Sequence, residues 1–215
     1  MKKKSIKYAM AITAITLLLI AGCKKDELPS KTVEVSLPTI TLVGDPVVIL
    51  NVGDTYVDQG ATFYDSLYGD NGTISTTTEV NTAEEGFVIV RYTATNKYGF
   101  EGSGTRLVAV TGASDLLDVS GDYFHAARGG TATVSKVGRG VFVTDNVSGG
   151  GSSSDAYFMF TSDSTMVIPT QFLTNNGVNA SFTDASYDFT SLPPTYEYKI
   201  AAAGFGPGLR VFEKQ

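Results

Sequence analysis

The chain is poor in residues that form cross-links or metal cages, with one cysteine and one histidine in 215 residues. It also has no tryptophan. A lone cysteine excludes an intramolecular disulfide, and one histidine without further cysteines excludes a typical zinc cage. A catalytic triad would need an activated serine and an acid brought to His125. We therefore expect His125 to be a residue of a sheet whose ring has its hydrogen bonds satisfied.

The N-terminus has the layout of a secretory signal. Four lysines precede an uncharged run from Tyr8 to Gly22, and this run is shorter than the roughly 20 residues that a membrane-spanning helix needs. We predict that residues 1–22 are a signal peptide. Their removal takes away those lysines and no acid, so the net charge falls from −6 to −10. No basic stretch remains, which argues against nucleic acid as a partner.

The only cysteine follows this run directly, in the segment Ile20–Cys23. Ile-Ala-Gly-Cys resembles the lipobox of bacterial lipoproteins, which implies that Cys23 becomes the lipidated first residue and anchors the chain to a membrane. Several acyl chains would make the anchor permanent, since one chain binds only marginally. The alternative is a small buried hydrophobe, which the charged residues 24–27 disfavour. Residues 23–32 would be the tether.

Lys25, Asp26 and Glu27 follow the predicted anchor. Lysine and two acids at this place resemble the surface-export signal of Bacteroidota lipoproteins, which implies an outward-facing protein on the outer membrane. The alternative is that any short tether is charged and solvated.

The first half of the mature chain consists of short apolar or alternating segments separated by turn residues, without a helical pattern. The predicted strands are Val33–Leu37, Val47–Leu50, Gly60–Tyr64, Thr73–Val80, Phe87–Thr95 and Arg106–Val110. Such spacing predicts an antiparallel sandwich over residues 33–111.

Two blocks of this half carry a resemblance. Val52–Tyr56 with Asp58 and Gly60–Thr62, followed by Gly86–Asn96 and Gly99, resemble the immunoglobulin-like domain of unknown function found in Bacteroidota surface lipoproteins. The resemblance implies a β-sandwich that acts as a spacer or a binding module, and it brings no catalytic residues.

The second half repeats the β pattern with glycine-rich turns. A small polar hinge is predicted at Thr111–Ser114, and it leads into a linker over residues 112–119. The strands predicted after it are 131–137, 140–144, 156–160, 166–172, 180–182, 187–189, 196–201 and 209–212. They predict a small, closed or nearly closed antiparallel sheet over residues 120–215. The tandem resembles two-domain Bacteroidota lipoproteins whose genes often accompany glycan-uptake systems.

Tyrosines are the binding candidates of the second half. Tyr196 and Tyr198 share a strand face, and Tyr187 shares one with Phe189, so exposed rings could stack on sugars. The alternative is that these rings pack in the core or at an edge.

Catalytic and metal sites find little support. Most acids stand in turns, where they bond their own backbone, and glycosidases need two carboxylates across a cleft. Asp65, Asp70 and Asn71 could offer oxygens to calcium, but they lack EF-hand spacing. We expect no enzyme activity, no cofactor and no metal.

The sequence thus favours an all-β, non-catalytic surface lipoprotein of the outer membrane that binds or presents glycan, a polysaccharide partner, as an accessory to nutrient uptake. A structural or protein-interaction subunit of an outer-membrane transporter complex is the alternative, and a small hydrolase is a third reading.

Overall fold

The computed structural model describes residues 34–151 and 154–215. Within these residues the chain forms fifteen β-strands and no helix, which confirms the predicted all-β class. It follows that this part contains no helix long and apolar enough to cross a membrane. The predicted signal peptide, Cys23 and the export signal Lys25–Glu27 lie outside the described residues.

The first six strands form the N-terminal sandwich. They are β1 (Thr39–Leu42), β2 (Val47–Leu50), β3 (Ala61–Tyr64), β4 (Asn71–Ile74), β5 (Gly86–Thr95) and β6 (Glu101–Val110). One sheet has the order β1-β3-β4 and the other β2-β6-β5, with β2 parallel to β6. The longest pairing is the antiparallel β5–β6 hairpin, in register from Gly86↔Val110 to Thr95↔Glu101.

The predicted strand Val33–Leu37 was wrong over its described part, because residues 34–38 form no ladder and β1 begins after Pro38. Val35 and Leu37 stay exposed, so their alternation has no sheet to pack on. The backbone of Pro38 lies very close to Gly102: a Cβ added to Gly102 would be 1.8 Å from the carbonyl oxygen of Pro38. The predicted strand Thr73–Val80 also ends early, at Ile74.

The remaining strands form one curled antiparallel sheet, here called the half-barrel. Its strands are β7 (Gly121–His125), β8 (Gly130–Gly138), β9 (Val141–Thr144), β10 (Ala156–Ser162), β11 (Thr165–Val167), β12 (Gln171–Leu173), β13 (Val178–Asp188), β14 (Thr195–Ala201) and β15 (Arg210–Lys214). The order is β11-β10-β9-β8-β7-β15-β14-β13-β12. Gln171 bonds the backbone N and O of Tyr157 at 2.7 and 2.8 Å, which links β12 to β10 across the gap.

In two places the strands of the half-barrel have other bounds than the sequence predicts. The segments predicted at 180–182 and 187–189 belong to one strand, β13, whose register shifts between Thr183 and Ser186. Asp184 has a φ of 56° there, a bulge that the alternation pattern does not reveal. The segment predicted at 166–172 is instead divided into β11 and β12 around Pro169, which has no N–H to give to a ladder.

The sheet β2-β6-β5 is buried on both of its faces. One face contributes Val90, Tyr92 and Val108 to the core of the sandwich. The opposite face forms a second cluster with the outside of the half-barrel, here called the joint core: Leu107, Ala109, Val141 and Met159 are its buried members. Two-sided burial explains why Val47–Leu50 is a continuous apolar run rather than an alternating one.

Polar bonds fix the same joint. Thr111 Oγ1 donates to the carbonyl of Phe160 at 2.6 Å, and Gly112 N donates to Thr161 O at 2.9 Å. Arg139 reaches the carbonyls of Thr111 and Ala113 at 3.1 and 3.2 Å, and that of Leu50 at 3.3 Å. The segment Thr111–Ser114, expected as a hinge, is thus tied to both sides, and Ser36–Gln215 form one compact unit.

We expect Met159→Ala to destabilise the protein by about 2–5 kcal/mol, because it empties space in the joint core that no neighbour fills. The measurement is urea unfolding followed by tyrosine fluorescence, which is free of tryptophan signal here. Val57→Ala, at an exposed position, is the control. Equal unfolding midpoints for both variants would contradict a packed joint.

Candidate functional site

The three tyrosines predicted to bind a ligand lie in the core of the half-barrel. Tyr187, Tyr196 and Tyr198 are 8%, 1% and 0% exposed. Tyr196 stacks on Phe212 with centroids 4.7 Å apart and planes 7° from parallel. Tyr198 Oη donates to Val147 O at 2.8 Å, and Tyr187 Oη bonds Tyr123 Oη at 3.0 Å. Their ring faces are covered by protein, so they offer no platform to a sugar, and the packing interpretation describes them.

His125 lies in β7, as a sheet residue should, but its ring is not satisfied. It is 3% exposed, and neither ring nitrogen has a hydrogen-bond partner in any other described residue. Burial is the largest cause that lowers the pKa of His125. The backbone of His125 itself opposes this shift, and the nearby charges of Arg128 and Arg210 lower the pKa further. The expectation of a satisfied ring was therefore wrong.

Asp65, the centre of the calcium alternative, is fully buried and bonded to protein. Its carboxylate accepts the N–H groups of Leu67 and Tyr68 at 3.0 and 3.1 Å and Asn96 Nδ2 at 2.8 Å. Burial opposes its charge, but these bonds outweigh burial and lower the pKa of Asp65. Residues 34–151 and 154–215 contain no group of three side chains suited to holding a metal ion.

The bond between Asp65 and Asn96 joins two loops. Asn96 Oδ1 accepts the N–H groups of Tyr98 and Phe100 at 3.0 and 3.1 Å, which shapes the β5–β6 turn. Asn96 Nδ2 also donates to Ser36 O at 3.0 Å. The loop after β3, the turn after β5 and the incoming chain are thus held together by one buried amide.

These bonds of Asn96 are here called the clamp. The loops that it joins carry two aromatic rings, Tyr68 and Tyr98, whose centroids are 4.4 Å apart and which are here called the tyrosine pair. Lys97 Nζ lies 5.1 and 5.4 Å from the two centroids. Tyr98 is 60% exposed and Tyr68 is half-buried, and Leu67, which precedes Tyr68 in the chain, is also exposed. An exposed aromatic ring such as that of Tyr98 on a fixed backbone suits binding, because little conformational entropy is lost when a ligand covers it.

A cavity of about 320 Å³ opens in the N-terminal sandwich. Its lining residues are Asp45, Val48, Leu50, Thr55, Tyr56, Val57, Gln59 and Arg106. Arg106 makes five hydrogen bonds within the protein, which uses the donor capacity of a guanidinium. The cavity therefore has a charged wall that is already occupied by protein acceptors.

The partner of Arg106 is Asp58, at 2.7 Å. The same carboxylate oxygen accepts the hydroxyls of Tyr92 and, at 2.9 Å, Tyr56, while Gly60 N donates to the other oxygen at 3.1 Å. Burial works against charge on Asp58, but the tyrosine hydroxyls and Arg106 outweigh it and lower the pKa of Asp58. This network pins the two sheets of the sandwich together.

Sequence reasoning missed this network and the tyrosine pair. No residue pattern showed that Asp58 and Arg106 would meet beside the hydroxyls of Tyr56 and Tyr92. For the tyrosine pair the only signal was the aromatic content of two turns, next to Asp65 and Asn96.

Comparison with known proteins agrees with the fold of the first half. Residues 40–110 match the family model described as bacterial surface protein, Ig-like domain, which confirms the immunoglobulin-like sandwich and supports a cell-surface location. The crystal structure of the lipoprotein BT2262 from Bacteroides thetaiotaomicron is similar at 21% identity, over 83% of this chain and 100% of that chain, with a TM-score of 0.38. A search among curated proteins found no match.

We expect Asp58→Asn to lower the free energy of unfolding at neutral pH by about 1–3 kcal/mol, since hydrogen bonds to a charged group are lost. The pKa of Asp58 lies below its usual 3.8, so its contribution is present above that pH and is lost as pH falls through the lowered value. The difference in free energy of unfolding between wild type and variant, here called the gap, should therefore shrink below pH 3.8.

Urea unfolding at a series of pH values measures that gap. Glu79→Gln, at an exposed residue, controls for the loss of one negative charge. A gap that stays constant down to pH 2 would contradict the role of the Asp58 carboxylate.

Proposed function

We propose that this protein is a non-catalytic, lipid-anchored accessory protein of the Bacteroidota outer-membrane surface that binds or presents glycan for nutrient uptake. The observation that carries the proposal is the tyrosine pair at the end of the β5–β6 hairpin, in which Tyr98 is exposed and Tyr68 is half-buried. The anchor would be Cys23, and Lys25, Asp26 and Glu27 would direct the chain outward.

The geometry of the tyrosine pair suits a sugar ring. Tyr98 leaves more than half of its surface to solvent, and an aromatic face of this kind can contact the C–H groups of a pyranose. Polar side chains stand next to the rings in the chain: Ser66, Asp70 and Asn71 flank Tyr68, and Lys97 lies over both rings. They can exchange hydrogen bonds with hydroxyl groups.

The place of the tyrosine pair favours a second candidate, docking to an outer-membrane protein assembly. The clamp residue Asn96 bonds Ser36, where the chain enters the sandwich. Ser36 is thirteen residue positions after Cys23, so the chain between them reaches at most about 45 Å. Because Asn96 connects the turn of Tyr98 to Ser36, the tyrosine pair could meet a protein embedded in the same membrane, and tyrosines are frequent anchors of protein interfaces.

Tyr98→Ala tests both candidates, with Phe172→Ala as the matched control. Phe172 is 48% exposed but belongs to β12 of the half-barrel. We expect Tyr98→Ala to abolish the retardation of the protein in gels that contain its polysaccharide, because the stacking face is gone, while Phe172→Ala behaves as wild type. The measurement is affinity electrophoresis against a panel of polysaccharides.

A pull-down from outer membranes separates the second candidate. If no polysaccharide retards the wild type and one protein partner is captured by wild type and by Phe172→Ala but not by Tyr98→Ala, docking replaces glycan binding. If Tyr98→Ala changes neither measurement, the tyrosine pair is not the contact surface.

The anchor gives a separate prediction. We expect Cys23→Ala to release the protein from the membrane fraction, because no acyl chain can be attached without the thiol. The measurement is mass spectrometry of the N-terminus together with membrane fractionation.

Replacement of Lys25, Asp26 and Glu27 by alanine should leave the lipid in place but remove surface exposure, seen as protection from protease added to whole cells. Lipid-free wild-type protein, or an unprocessed N-terminus upstream of Cys23, would contradict the anchor.

A further inference from the structure

Three basic groups gather at one end of the half-barrel of this acidic protein. They lie where β7 ends and β15 begins: His125 is the last residue of β7, Arg128 belongs to the turn that follows, and Arg210 is the first residue of β15. Arg128 and Arg210 both act electrostatically on His125. Acidic residues are in excess in the chain as a whole, so this concentration of positive charge is local.

Arg210 is a buried cation without a counter-charge. It is 1% exposed, and its Nη1 and Nη2 donate only to the carbonyls of Gly208 and Gly206, at 2.8 and 3.1 Å. Its Nε has no partner, and no carboxylate forms an ion pair with it within the described part of the chain. Burying a charge in this way is costly unless a partner compensates it.

The other buried arginine shows what compensation looks like in the same molecule. Arg106 is equally buried, but it pairs with Asp58 at 2.7 Å and has every donor occupied. Burial and the charge of Arg128 lower the pKa of Arg210, whereas the pKa of Arg106 is raised in spite of its burial. Arg210 thus differs from Arg106 in two respects within the described residues: it has no carboxylate beside it, and its Nε has no hydrogen-bond acceptor.

His125 is the second polar group without a partner at this end. Both of its nitrogens are buried, and neither bonds another residue in the part of the chain that the structure describes. The backbone of Gly149 passes directly over the ring, so that a Cβ on Gly149 would lie 2.2 Å from His125 Cδ2, and its φ is 68°. Only glycine allows this approach. The loop after β9 therefore closes over the imidazole without offering it a hydrogen bond.

Strand pairing brings the three groups together. β15 pairs with β7 through Glu213↔Phe124, and the rings of His125 and Phe212 meet at 5.0 Å between centroids. Arg210 is the next residue of β15 on the same inward face. Arg128 reaches the same place from outside, because a Cβ on Gly206 would lie 3.8 Å from its Nη2, and the carbonyl of Gly206 is the one that Arg210 bonds.

We propose that this end of the half-barrel binds an oxyanion, a carboxylate, sulfate or phosphate group, between Arg210, Arg128 and the ring of His125. The buried arginine and imidazole supply fixed donors, and the exposed Arg128 supplies charge that a ligand meets first. Guanidinium groups suit this chemistry, because they donate paired hydrogen bonds to planar or tetrahedral oxyanions. The ligand group belongs to an acidic saccharide or is a free inorganic ion, and the site does not depend on the tyrosine pair.

The only histidine of the chain is a built-in reporter for this site. The experiment uses the tag-free mature chain, from residue 23 onward, with Cys23→Ser to prevent lipidation, and follows the imidazole resonances of His125 by NMR. Sodium sulfate, sodium phosphate and digalacturonic acid are titrated separately, with sodium chloride at matched ionic strength and a neutral galactose disaccharide as references. We expect saturable shifts and an upward movement of the pKa of His125 with the oxyanions only.

Variants assign the response to the site. Arg128→Gln should weaken binding about tenfold or more, as expected for the loss of a charged hydrogen bond. Arg91→Gln, at an exposed arginine of β5 paired with Glu101 at 3.7 Å, should bind as wild type, and so should Tyr98→Ala. Binding of digalacturonic acid identifies the saccharide source, and binding of the inorganic ions alone identifies a free ion. Shifts that sodium chloride reproduces, or an affinity that Arg128→Gln leaves unchanged, would overturn the proposal.

Discussion

The structure depends on the burial of both faces of the sheet β2-β6-β5. One face closes the sandwich against β1-β3-β4, and the other packs on the outside of the half-barrel through Leu107, Val141 and Met159. A sheet of three strands would leave one face wet in an ordinary surface position. Because this one is covered twice, the chain needs neither a disulfide nor a tryptophan to hold its two halves in a fixed relation, and Arg139 and Thr111 only fix the register of a contact that apolar burial already stabilises.

The two buried arginines show how structural and binding roles can be told apart by physical criteria. Arg106 lies in a closed set of donors and acceptors with Asp58, and adding a ligand there would require breaking bonds that exist. Arg210 and His125 have donors and ring nitrogens left over in a buried place. A buried polar group whose hydrogen bonds are all made within the chain stabilises the fold. A buried polar group on a rigid strand with a donor or acceptor left over indicates a site for a ligand.

How much of this could be predicted from sequence follows from what each pattern encodes. The continuous run Val47–Leu50 predicted the strand β2 correctly, and all four of its residues are half-buried, because both faces of this edge strand are partly covered. Alternation at Tyr196 and Tyr198 predicted a shared face correctly, but period alone does not say whether that face lines the inside of a curled sheet or meets solvent. Arg106 occupies an ordinary strand position in the sequence, and its partner is 48 residues away. His125 and Arg210 are brought together only by the pairing of the first and last strands of the half-barrel, which no local pattern contains.

The fixed joint also bears on how two separate contact surfaces would work together. The tyrosine pair lies at the end of the β5–β6 hairpin remote from Val110, beside the incoming chain at Ser36, while Arg128 and Arg210 lie on the half-barrel beyond the joint. If the segment after Val110 were a free hinge, a partner bound at the tyrosine pair would not fix the orientation of the half-barrel that carries Arg128 and Arg210. With the segment bonded on both sides, a partner held at the tyrosine pair would orient the half-barrel as well, so a second, weak contact would form at high effective concentration and without further ordering of the chain. Rigidity of the joint is thus what would make two modest surfaces useful on an anchored protein.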